Sequence, residues 1–332
     1  MADTPPIDVL AVGSAIVDVL TPAADDFVAA HGLVKGTMAL IDADAADRLY
    51  GEMGPGIEVS GGSAANTVAG VASLGNSAAF VGKVRDDQLG AVFTHDIRAA
   101  GVHFATPPAA DGPGTARCLV LVTPDAQRTM STYLGAAVGL SAADVDPAVV
   151  GRAQVTYLEG YLWDPPEAID ALRQAIAAAH QNGGKVAFSL SDPFCVSRHR
   201  DEFLDLVEAH VDILFGNEEE VSMLYKTDDL DVALDELRGL VDVAAVTRGA
   251  AGSVAVAGDE TVSVPAEPVQ AVVDTTGAGD LYAAGFLVGL VRGVPLVQCA
   301  RLGGLAAAEV ISHVGARPQQ PLDALARRAG LL

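Results

Sequence analysis

The segment Asp274-Thr275-Thr276-Gly277-Ala278-Gly279-Asp280 leads directly into a helical apolar run, Leu281–Val291. Two glycines just before a helix let backbone N–H groups converge on one point, and the helix N-terminus adds partial positive charge. The segment could therefore bind an anion without a lysine. Asp280, at the mouth of this anion hole, could accept a proton from an attacking hydroxyl group. Taken alone, the segment is equally typical of a well-capped helix start.

A second glycine pair occurs early in the chain, in Gly61-Gly62-Ser63-Ala64-Ala65-Asn66, and leads into the helical run Thr67–Leu74. Glycines at this position let a ligand approach the backbone. Asn66 offers both a donor and an acceptor to a polyol. The alternative is an ordinary glycine turn followed by an asparagine that faces solvent.

Two more segments place polar residues or glycines after apolar runs of strand type. Asn217-Glu218-Glu219-Glu220 follows Val211–Phe215, and its first and last residues share one face of a helical turn. Such an acidic cluster suits hydrated Mg²⁺, although by itself it is more typical of a helix cap. Thr247-Arg248-Gly249-Ala250-Ala251-Gly252 could let a nucleotide lie against the backbone, or it could form a plain hairpin turn.

Apolar runs of strand length alternate with Ala-rich helical stretches along most of the chain. This alternation predicts an α/β fold, with a central, mostly parallel sheet flanked by helices and with ligands bound outside the carboxyl ends of the strands. The predicted strands are Val9–Val12, Ala78–Val81, Val155–Leu158, Val186–Ser189, Ile213–Phe215, Ala244–Val246 and Ser253–Val256. The predicted helices are Ala65–Leu74, Pro166–His180, Arg200–Ala209, Glu218–Leu224 and Leu230–Leu240.

One region, Val102 to Leu134, lacks a helical period and instead predicts a hairpin. Its runs Thr115–Thr123 and Arg128–Tyr133 flank the turn Pro124-Asp125-Ala126-Gln127. With segments near Val17–Leu20 and Met38–Ile41, this hairpin could form a small β-sheet apart from the main one. We expect a lid that is discontinuous in sequence, built from about residues 14–60 and 102–135, over an α/β domain formed by the remainder.

Composition restricts the partners of this protein. The 332 residues include 43 acidic and 20 basic side chains, which leaves a formal net charge of −23. Nucleic acid and anionic membrane surfaces are therefore not expected partners, because both require a basic footprint. No apolar run approaches the roughly 18 residues of a membrane span, and the start has no basic residue before its apolar run. Three widely spaced cysteines indicate reduced core thiols, so we expect a cytoplasmic protein.

Other catalytic motifs are missing from the sequence. The histidines have no metal-ligand spacing, and the sequence contains neither a GxSxG elbow nor a GxxxxGK[ST] loop. Two charged residues remain as weaker candidates. Asp18 ends an early apolar run, where an acid is rare unless it serves a partner, and Arg128 in the hairpin could close over a ligand.

Taken together, these segments resemble the PfkB (ribokinase-like) family of carbohydrate and nucleoside kinases. The resemblance covers nearly the whole chain, residues 1–332, with the early motif Gly61–Gly75 and the late motif Asp274–Leu287 in the expected order. Arg85 departs from the glycine usual in the early motif. Within the family, the chain is most similar to the adenosine kinase branch. Three segments carry this resemblance: Leu190–Phe194, the stretch from Val211 to Glu218, and a helix-containing insertion after Asp18.

The resemblance implies a role for each matching residue. Asp18, Gly62 and Asn66 would bind sugar hydroxyls, with Arg128 closing from the lid. Gly277, Ala278 and Gly279 would form the anion hole, with Asp280 as the catalytic base. Asn217 and Glu220 would position Mg²⁺ and phosphate, Glu220 indirectly, while Thr247 and Gly249 would contact ATP. Asp274 matches a position linked to monovalent-cation sites, which adds K⁺ to the candidate cofactors.

The acceptor is predicted less directly than the catalytic residues. Tyr161, Leu162 and Trp163 occupy the region where adenosine kinases place an aromatic residue against the base. Glu159 is unusual beside a base and favours a sugar. We expect transfer of phosphate from ATP to a primary ribose hydroxyl, the 5′-OH of adenosine, to give AMP. The alternatives are a kinase for ribose, fructose or a keto-deoxy sugar acid, and a non-catalytic ligand sensor. The protein could be a monomer or a homodimer paired through the lid.

Overall fold

The computed structural model describes residues 5–125 and 127–332, and strands and helices alternate through most of this range. The strands are β1 (Ile7–Val12), β2 (Ile16–Pro22), β3 (Met38–Leu40), β4 (Ile57–Gly61), β5 (Ala78–Val81), β6 (His103–Phe104), β7 (Ala116–Val122), β8 (Arg128–Tyr133), β9 (Ala153–Glu159), β10 (Lys185–Ser189), β11 (Ile213–Asn217), β12 (Val243–Thr247), β13 (Ser253–Ala257) and β14 (Glu260–Val264). The helices are α1 (Asp25–Ala30), α2 (Ala43–Glu52), α3 (Ser63–Ser73), α4 (Gln88–Ala99), α5 (Pro147–Val150), α6 (Pro166–Gln181), α7 (Pro193–His210), α8 (Glu218–Tyr225), α9 (Leu230–Leu237), α10 (Ala278–Val291), α11 (Leu296–Val310) and α12 (Leu322–Arg328).

The large sheet has nine strands in the order β14-β13-β12-β11-β10-β9-β1-β5-β6. The strands from β12 to β6 are all paired in parallel, whereas β13 and β14 add to the β12 edge in antiparallel fashion. The predicted α/β fold with a mostly parallel sheet is therefore confirmed. The antiparallel edge arises because short turns join β12, β13 and β14, which leaves no room for a crossover helix.

Helices cover both faces of this sheet, and the side chains of β1 pack against the helices on both sides. Val9 and Ala11 join the core formed with α3, α4, α10, α11 and α12. Leu10 and Val12 point the other way, into the core formed with α6, α7, α8 and α9. Because successive side chains of a strand alternate between faces, a strand covered on both sides reads as one continuous apolar run.

The small sheet has five strands in the order β3-β8-β7-β2-β4. The predicted hairpin is present as the antiparallel pair β7 and β8, and β2 and β3 flank it through parallel pairing. The residue Ala126 of its predicted turn lies outside the described residues. The strand β4, which pairs with β2, was not predicted.

Helix boundaries differ from the sequence-based ones mainly at their ends. The predicted helix at Arg200–Ala209 begins earlier, at Pro193, after Asp192 caps its first turn. The predicted helix Leu230–Leu240 ends at Leu237. The sequence did not predict the helices α2, α4, α5, α11 and α12 or the strands β6 and β14. In the part of the chain that the structure describes, no helix has the length and apolarity to cross a membrane.

Candidate active site

A cavity of about 510 Å³ lies between the carboxyl ends of the large-sheet strands and the inner face of the small sheet. Ser14, Glu159 and Thr247 line it from the large sheet, at or just beyond the ends of β1, β9 and β12. Ile16 and Val120 line it from the small sheet. This is the place where parallel α/β sheets bind ligands, as the strand pattern predicted.

Most residues predicted for the site meet in this one cavity. Those that line it are Asp18, Gly62, Asn66, Arg128, Tyr161, Asn217, Glu220, Thr247, Gly277, Ala278, Gly279 and Asp280. Two others do not line it. Asp274 is buried behind the wall, and Gly249 is exposed in the loop after β12.

The start of α10 lines the cavity with Gly277, Ala278 and Gly279. Its N-cap is Gly277, which has φ 79° and no side chain to occupy the hydrogen-bonding positions of the first turn. A Cβ atom on Gly277 would lie 2.9 Å from the backbone oxygen of Ala316, so both the backbone angle and the packing require glycine. Ala278 N donates to Thr275 O over 3.2 Å, but no side chain caps this helix, so the remaining first-turn N–H groups and the helix dipole favour an anion here.

Asp280 lies in the first turn of α10, and its two carboxylate oxygens accept different hydrogen bonds. Ser63 Oγ donates to Oδ1 over 2.6 Å, and Asn66 Nδ2 donates to Oδ2 over 3.0 Å. Burial raises the pKa of Asp280, whereas these two hydrogen bonds act in the opposite direction. The carboxylate is thus oriented by α3 and is held in surroundings that increase its basicity.

The start of α3 is fixed to the large sheet by a buried carboxylate. Glu159 Oε1 accepts from Ser14 N over 2.7 Å, and Oε2 accepts from Ala64 N over 2.8 Å. Burial raises the pKa of Glu159 to about 7, although the backbone hydrogen bonds oppose this. Gly62, with φ 97°, lies so close to Ser14 that a Cβ atom would be 2.2 Å from its backbone oxygen. Glu159 therefore organises this wall of the cavity.

Asp18 reaches the cavity from β2 of the small sheet. Burial raises its pKa to about 7, and the positive charges of Arg317 and Arg128 oppose the rise. Asp280 and Asp274 add negative charge nearby and act in the same direction as burial. Asp18 is thus a partly buried hydrogen-bond acceptor whose charge depends on pH near neutrality.

Arg128 connects the small sheet to the segment before α10. Its Nη1 donates to Thr276 Oγ1 over 3.3 Å, and its Nη2 lies 2.5 Å from Asp274 Oδ2. The Nη2 contact is an ion pair between two largely buried side chains. Asp274 also accepts from Thr276 N, Thr276 Oγ1 and Gly315 N. A monovalent cation at Asp274 would therefore have to displace Arg128.

Asn217 and Glu220 form a capping box at the start of α8, which is the simpler of the two interpretations of this segment. Asn217 Oδ1 accepts from Glu220 N over 2.8 Å, while Glu220 accepts from Asn217 N and Nδ2. Burial raises the pKa of Glu220 to about 7. Because both carboxylate oxygens are already engaged, these residues fit Mg²⁺ only through its waters or phosphates. Among residues 5–125 and 127–332, no cluster of three or more His, Cys, Asp or Glu side chains could hold a metal directly.

The aromatic segment after β9 is only partly a wall of the cavity. Tyr161 lines it, and its hydroxyl donates to Ser191 O over 3.3 Å. Leu162 and Trp163 were expected beside the base, but both are buried in the core, where Trp163 packs against Phe188. The expectation for these two residues is wrong because a 3₁₀ turn, with three residues per turn, points successive side chains in different directions, and only that of Tyr161 faces the cavity.

Sequence reasoning missed two residues of the site, Ser63 and Arg317. Arg85, which stands where the family usually has glycine, lies away from the site. Ser63 contacts Asp280 across 217 positions, and Arg317 Nε donates to Asn66 Oδ1 across 251 positions, over 3.3 Å. No local pattern indicates either contact. Arg85 lies outside the cavity and lines a separate surface groove with Arg98.

A helix start without a side-chain cap, beside a carboxylate whose pKa burial raises and between an α/β sheet and a small β-sheet, is the arrangement expected of a small-molecule kinase. A family model described as pfkB family carbohydrate kinase matches residues 13–323. The chain therefore belongs to the pfkB family, whose kinases transfer phosphate to a hydroxyl acceptor.

Similar proteins include kinases of both nucleosides and sugars. The crystal structure of adenosine kinase from Sinorhizobium meliloti has 54% sequence identity and a TM-score of 0.92, covering 98% of this chain and 99% of that one. A probable sugar kinase protein from Rhizobium etli CFN 42 has 50% identity and a TM-score of 0.93, covering 99% and 100%. Adenosine kinase from Saccharomyces cerevisiae is 28% identical over 343 residues, covering 96% of this chain and 98% of the yeast protein.

Proposed function

We propose that this protein phosphorylates the 5′-hydroxyl of adenosine with ATP and releases AMP and ADP. The observation that carries the proposal is the apolar lining that the small sheet gives to the cavity. Met38, Leu40, Val120 and Met130 reach it from β3, β7 and β8, and Leu134 follows β8. A purine base gains free energy by leaving water for such a surface, whereas a sugar does not.

Charge at the same wall argues against a sugar acid. The cavity's only arginine from the small sheet, within the described residues, is Arg128, and it already lies beside Asp274. Glu159 favoured a sugar in the sequence, but both its oxygens accept backbone N–H groups. Its carboxylate is therefore engaged and does not compete with a base. The similarity to adenosine kinase from Sinorhizobium meliloti agrees with this choice.

The reaction would use the contacts of Asp280 and α10. Asp18 and Asn66 would hold ribose hydroxyls and bring the 5′-oxygen to Asp280. As that oxygen forms its bond to the γ-phosphorus, its proton would pass to Asp280, and the bond from γ-phosphorus to the ADP oxygen would break. The N–H groups at Gly277 and Gly279, joined by that of Ala278 once it leaves Thr275 O, and the guanidinium of Arg128 would stabilise the charge on the transferring group.

The nucleotide would extend from α10 toward Thr247 and Gly249. Mg²⁺, when bound with ATP, would neutralise phosphate charge, and Asn217 and Glu220 would hold its waters. The small sheet would act as a lid, built from residues 14–60 and 102–135, that excludes water from the reacting groups.

A coupled assay of ADP release with MgATP tests the acceptor. Adenosine, ribose, fructose and 2-keto-3-deoxygluconate are compared at equal concentrations, with Asp280→Asn as the matched inactive control. We expect kcat/KM for adenosine to exceed that for each sugar by at least about 100-fold, about 2.7 kcal/mol of transition-state binding. A sugar that surpasses adenosine would overturn the nucleoside assignment. Binding without ADP release in the wild-type protein would instead indicate a ligand sensor.

A further inference from the structure

Three consecutive residues, Gly315-Ala316-Arg317, each contact a different part of the site. Gly315 N donates to Asp274 Oδ2 over 2.8 Å. Ala316 packs against Gly277, where it would block any Cβ atom. Arg317 contacts Asn66 of α3. This segment, in the connection between α11 and α12, therefore holds the anion-binding segment and the acceptor-binding helix together.

Arg317 is the charged member of the segment, and its guanidinium is largely enclosed. Nε donates to Asn66 Oδ1 over 3.3 Å, and Nη1 donates to Ser60 Oγ. Nη2 is buried and has no hydrogen-bond partner among the described residues. Burial lowers the pKa of Arg317 to about 10, while the carboxylates of Asp96 and Asp18 oppose this, so it remains a cationic donor at neutral pH.

The contact with Asn66 determines which way the asparagine amide points. An asparagine side chain presents an oxygen that accepts and an NH₂ group that donates, and a rotation of its terminal group exchanges them. A guanidinium has only donors, so Nε requires the oxygen of Asn66 on its side. The NH₂ group then faces Asp280, whose ionised carboxylate can only accept, and the 3.0 Å contact forms.

We propose that Arg317 is a positioning residue for phosphoryl transfer, which acts by fixing the Asn66 amide so that Nδ2 donates to Asp280. The inference rests on the proposed role of Asp280 as the base. Without Arg317, the amide could rotate and turn its oxygen toward the carboxylate, which would repel it. The base would then lose both a hydrogen bond and its orientation toward the acceptor hydroxyl.

A double-mutant cycle with Asn66 tests this coupling. We expect Arg317→Met to lower kcat by about 10- to 100-fold, with KM for ATP changed less than about 3-fold, because the ATP side of the cavity is untouched. In an Asn66→Ala background, the same substitution should lower kcat by less than about 3-fold, since there is no amide left to orient. Equal losses in both backgrounds would overturn the proposal, as would an unchanged kcat in Arg317→Met.

Arg292→Met is the matched control, because Arg292 makes the same kind of contact at the other end of α3. Its Nε and Nη2 donate to Asn76 Oδ1 over 3.0 and 2.7 Å, outside the cavity. The melting temperature of this variant should be lower than that of the wild type, whereas its kcat should stay within about 3-fold of the wild-type value. A loss of kcat equal to that of Arg317→Met would show that either arginine acts through general stability, and the proposal would fail.

Arg317→Lys provides a second variant if the methionine does not fold. Lysine keeps the positive charge and an aliphatic stem but has no Nε group to donate to Asn66. We expect it to fold and to lose kcat as Arg317→Met does. Full activity in Arg317→Lys would mean that charge alone suffices and would overturn the amide-orientation role.

Asp280→Asn separates failure of this inference from failure of the proposed function. Turnover that survives in Asp280→Asn would remove the base assignment and with it the final step of the inference. Loss of turnover in Asp280→Asn, without kinetic coupling between Arg317 and Asn66, would overturn the inference and leave the base in place. Coupling together with an inactive Asp280→Asn is the expected result.

Discussion

Arg128 and Asp274 form an ion pair, with 2.5 Å between Nη2 and Oδ2, although one belongs to the small sheet and the other precedes α10. Asp274 also accepts two hydrogen bonds from Thr276, within the segment that leads to the start of α10. The position of the small sheet and the shape of that segment are therefore physically linked. A ligand that draws Arg128 inward would change both.

Replacing Arg128 with methionine should impair transfer more than folding. The variant loses a cation from the cavity and leaves the buried Asp274 carboxylate without its ionic partner. We expect kcat to fall by about 10- to 100-fold in the ADP-release assay. Arg117→Met is the control, because Arg117 lies on β7 of the same sheet and pairs with Asp47 outside the cavity. Equal activity of the two variants would contradict a role for Arg128 in transfer.

Replacing Asp280 with asparagine should abolish most turnover while acceptor binding survives. Asparagine can still contact Ser63 and Asn66, yet it cannot take up the hydroxyl proton. We expect kcat to fall by about 10²- to 10⁴-fold, the usual contribution of a general base. Calorimetry with adenosine should give a dissociation constant within about 10-fold of the wild-type value. Comparable turnover in the variant would remove Asp280 from the base role.

Acceptor affinity should increase with pH as Asp18 loses its proton. The pKa of Asp18 is raised to about 7, so this side chain is a full hydrogen-bond acceptor for hydroxyl groups only above that pH. The dissociation constant for adenosine, measured in the wild-type protein without ATP, should fall between pH 6 and 8 by about 10-fold. Asp18→Asn should flatten this dependence. A slope that persists in Asp18→Asn would assign the titration to another group.

Glu159→Gln should destabilise the fold, because glutamine places an NH₂ group against one of the two backbone N–H groups that the carboxylate accepts. We expect a loss of about 1–3 kcal/mol in the free energy of unfolding. Glu309→Gln is the control, since Glu309 accepts Gln319 N and Gln320 N on one oxygen that glutamine retains. Denaturant titration should show the smaller loss for Glu309→Gln, and the reverse order would contradict this interpretation.

The raised pKa of Glu159 predicts how the stability of the fold changes with pH. The pKa of Glu159 is raised from 4.5 to about 7 in the folded protein. Its stabilising contribution is therefore complete below pH 4.5 and is lost as pH rises through about 7. The stability gap between wild type and Glu159→Gln should narrow from pH 5 to pH 8, as followed by melting temperature. A gap that stays constant over this range would show that the carboxylate is charged throughout.

Local patterns in the sequence were sufficient for seven of the nine strands of the large sheet, all except β6 and β14, and for the two glycine segments. A strand buried on both faces, such as β1, appears as an apolar run, and a glycine that needs positive φ, such as Gly277, appears before a helix. These features depend on neighbours in the chain. The predictions for Asn66 and Asp280 followed because the two family motifs place each of them beside a glycine segment, whereas Asp18 was predicted as an acid that ends an early apolar run.

Other parts of the site depend on contacts between distant residues and left no local signal. Arg317 lies 251 positions from Asn66, in a connection with no periodic pattern. Glu159 was noticed as an unusual acid, but its partners at Ser14 and Ala64 appear only once β1, β9 and α3 are packed. Trp163 was placed beside the base because sequence position cannot show which side of a 3₁₀ turn faces the core.

Four backbone connections join the small sheet to the large α/β unit. The chain enters and leaves the small sheet twice, once for β2, β3 and β4 and once for β7 and β8. Cutting one connection with a protease would nick the protein without releasing the sheet. Exchange of this sheet between related kinases would likewise require two coordinated splices. We therefore expect acceptor preference to change in evolution through substitutions of single side chains on the inner face of the small sheet, because no one continuous stretch of sequence forms that face.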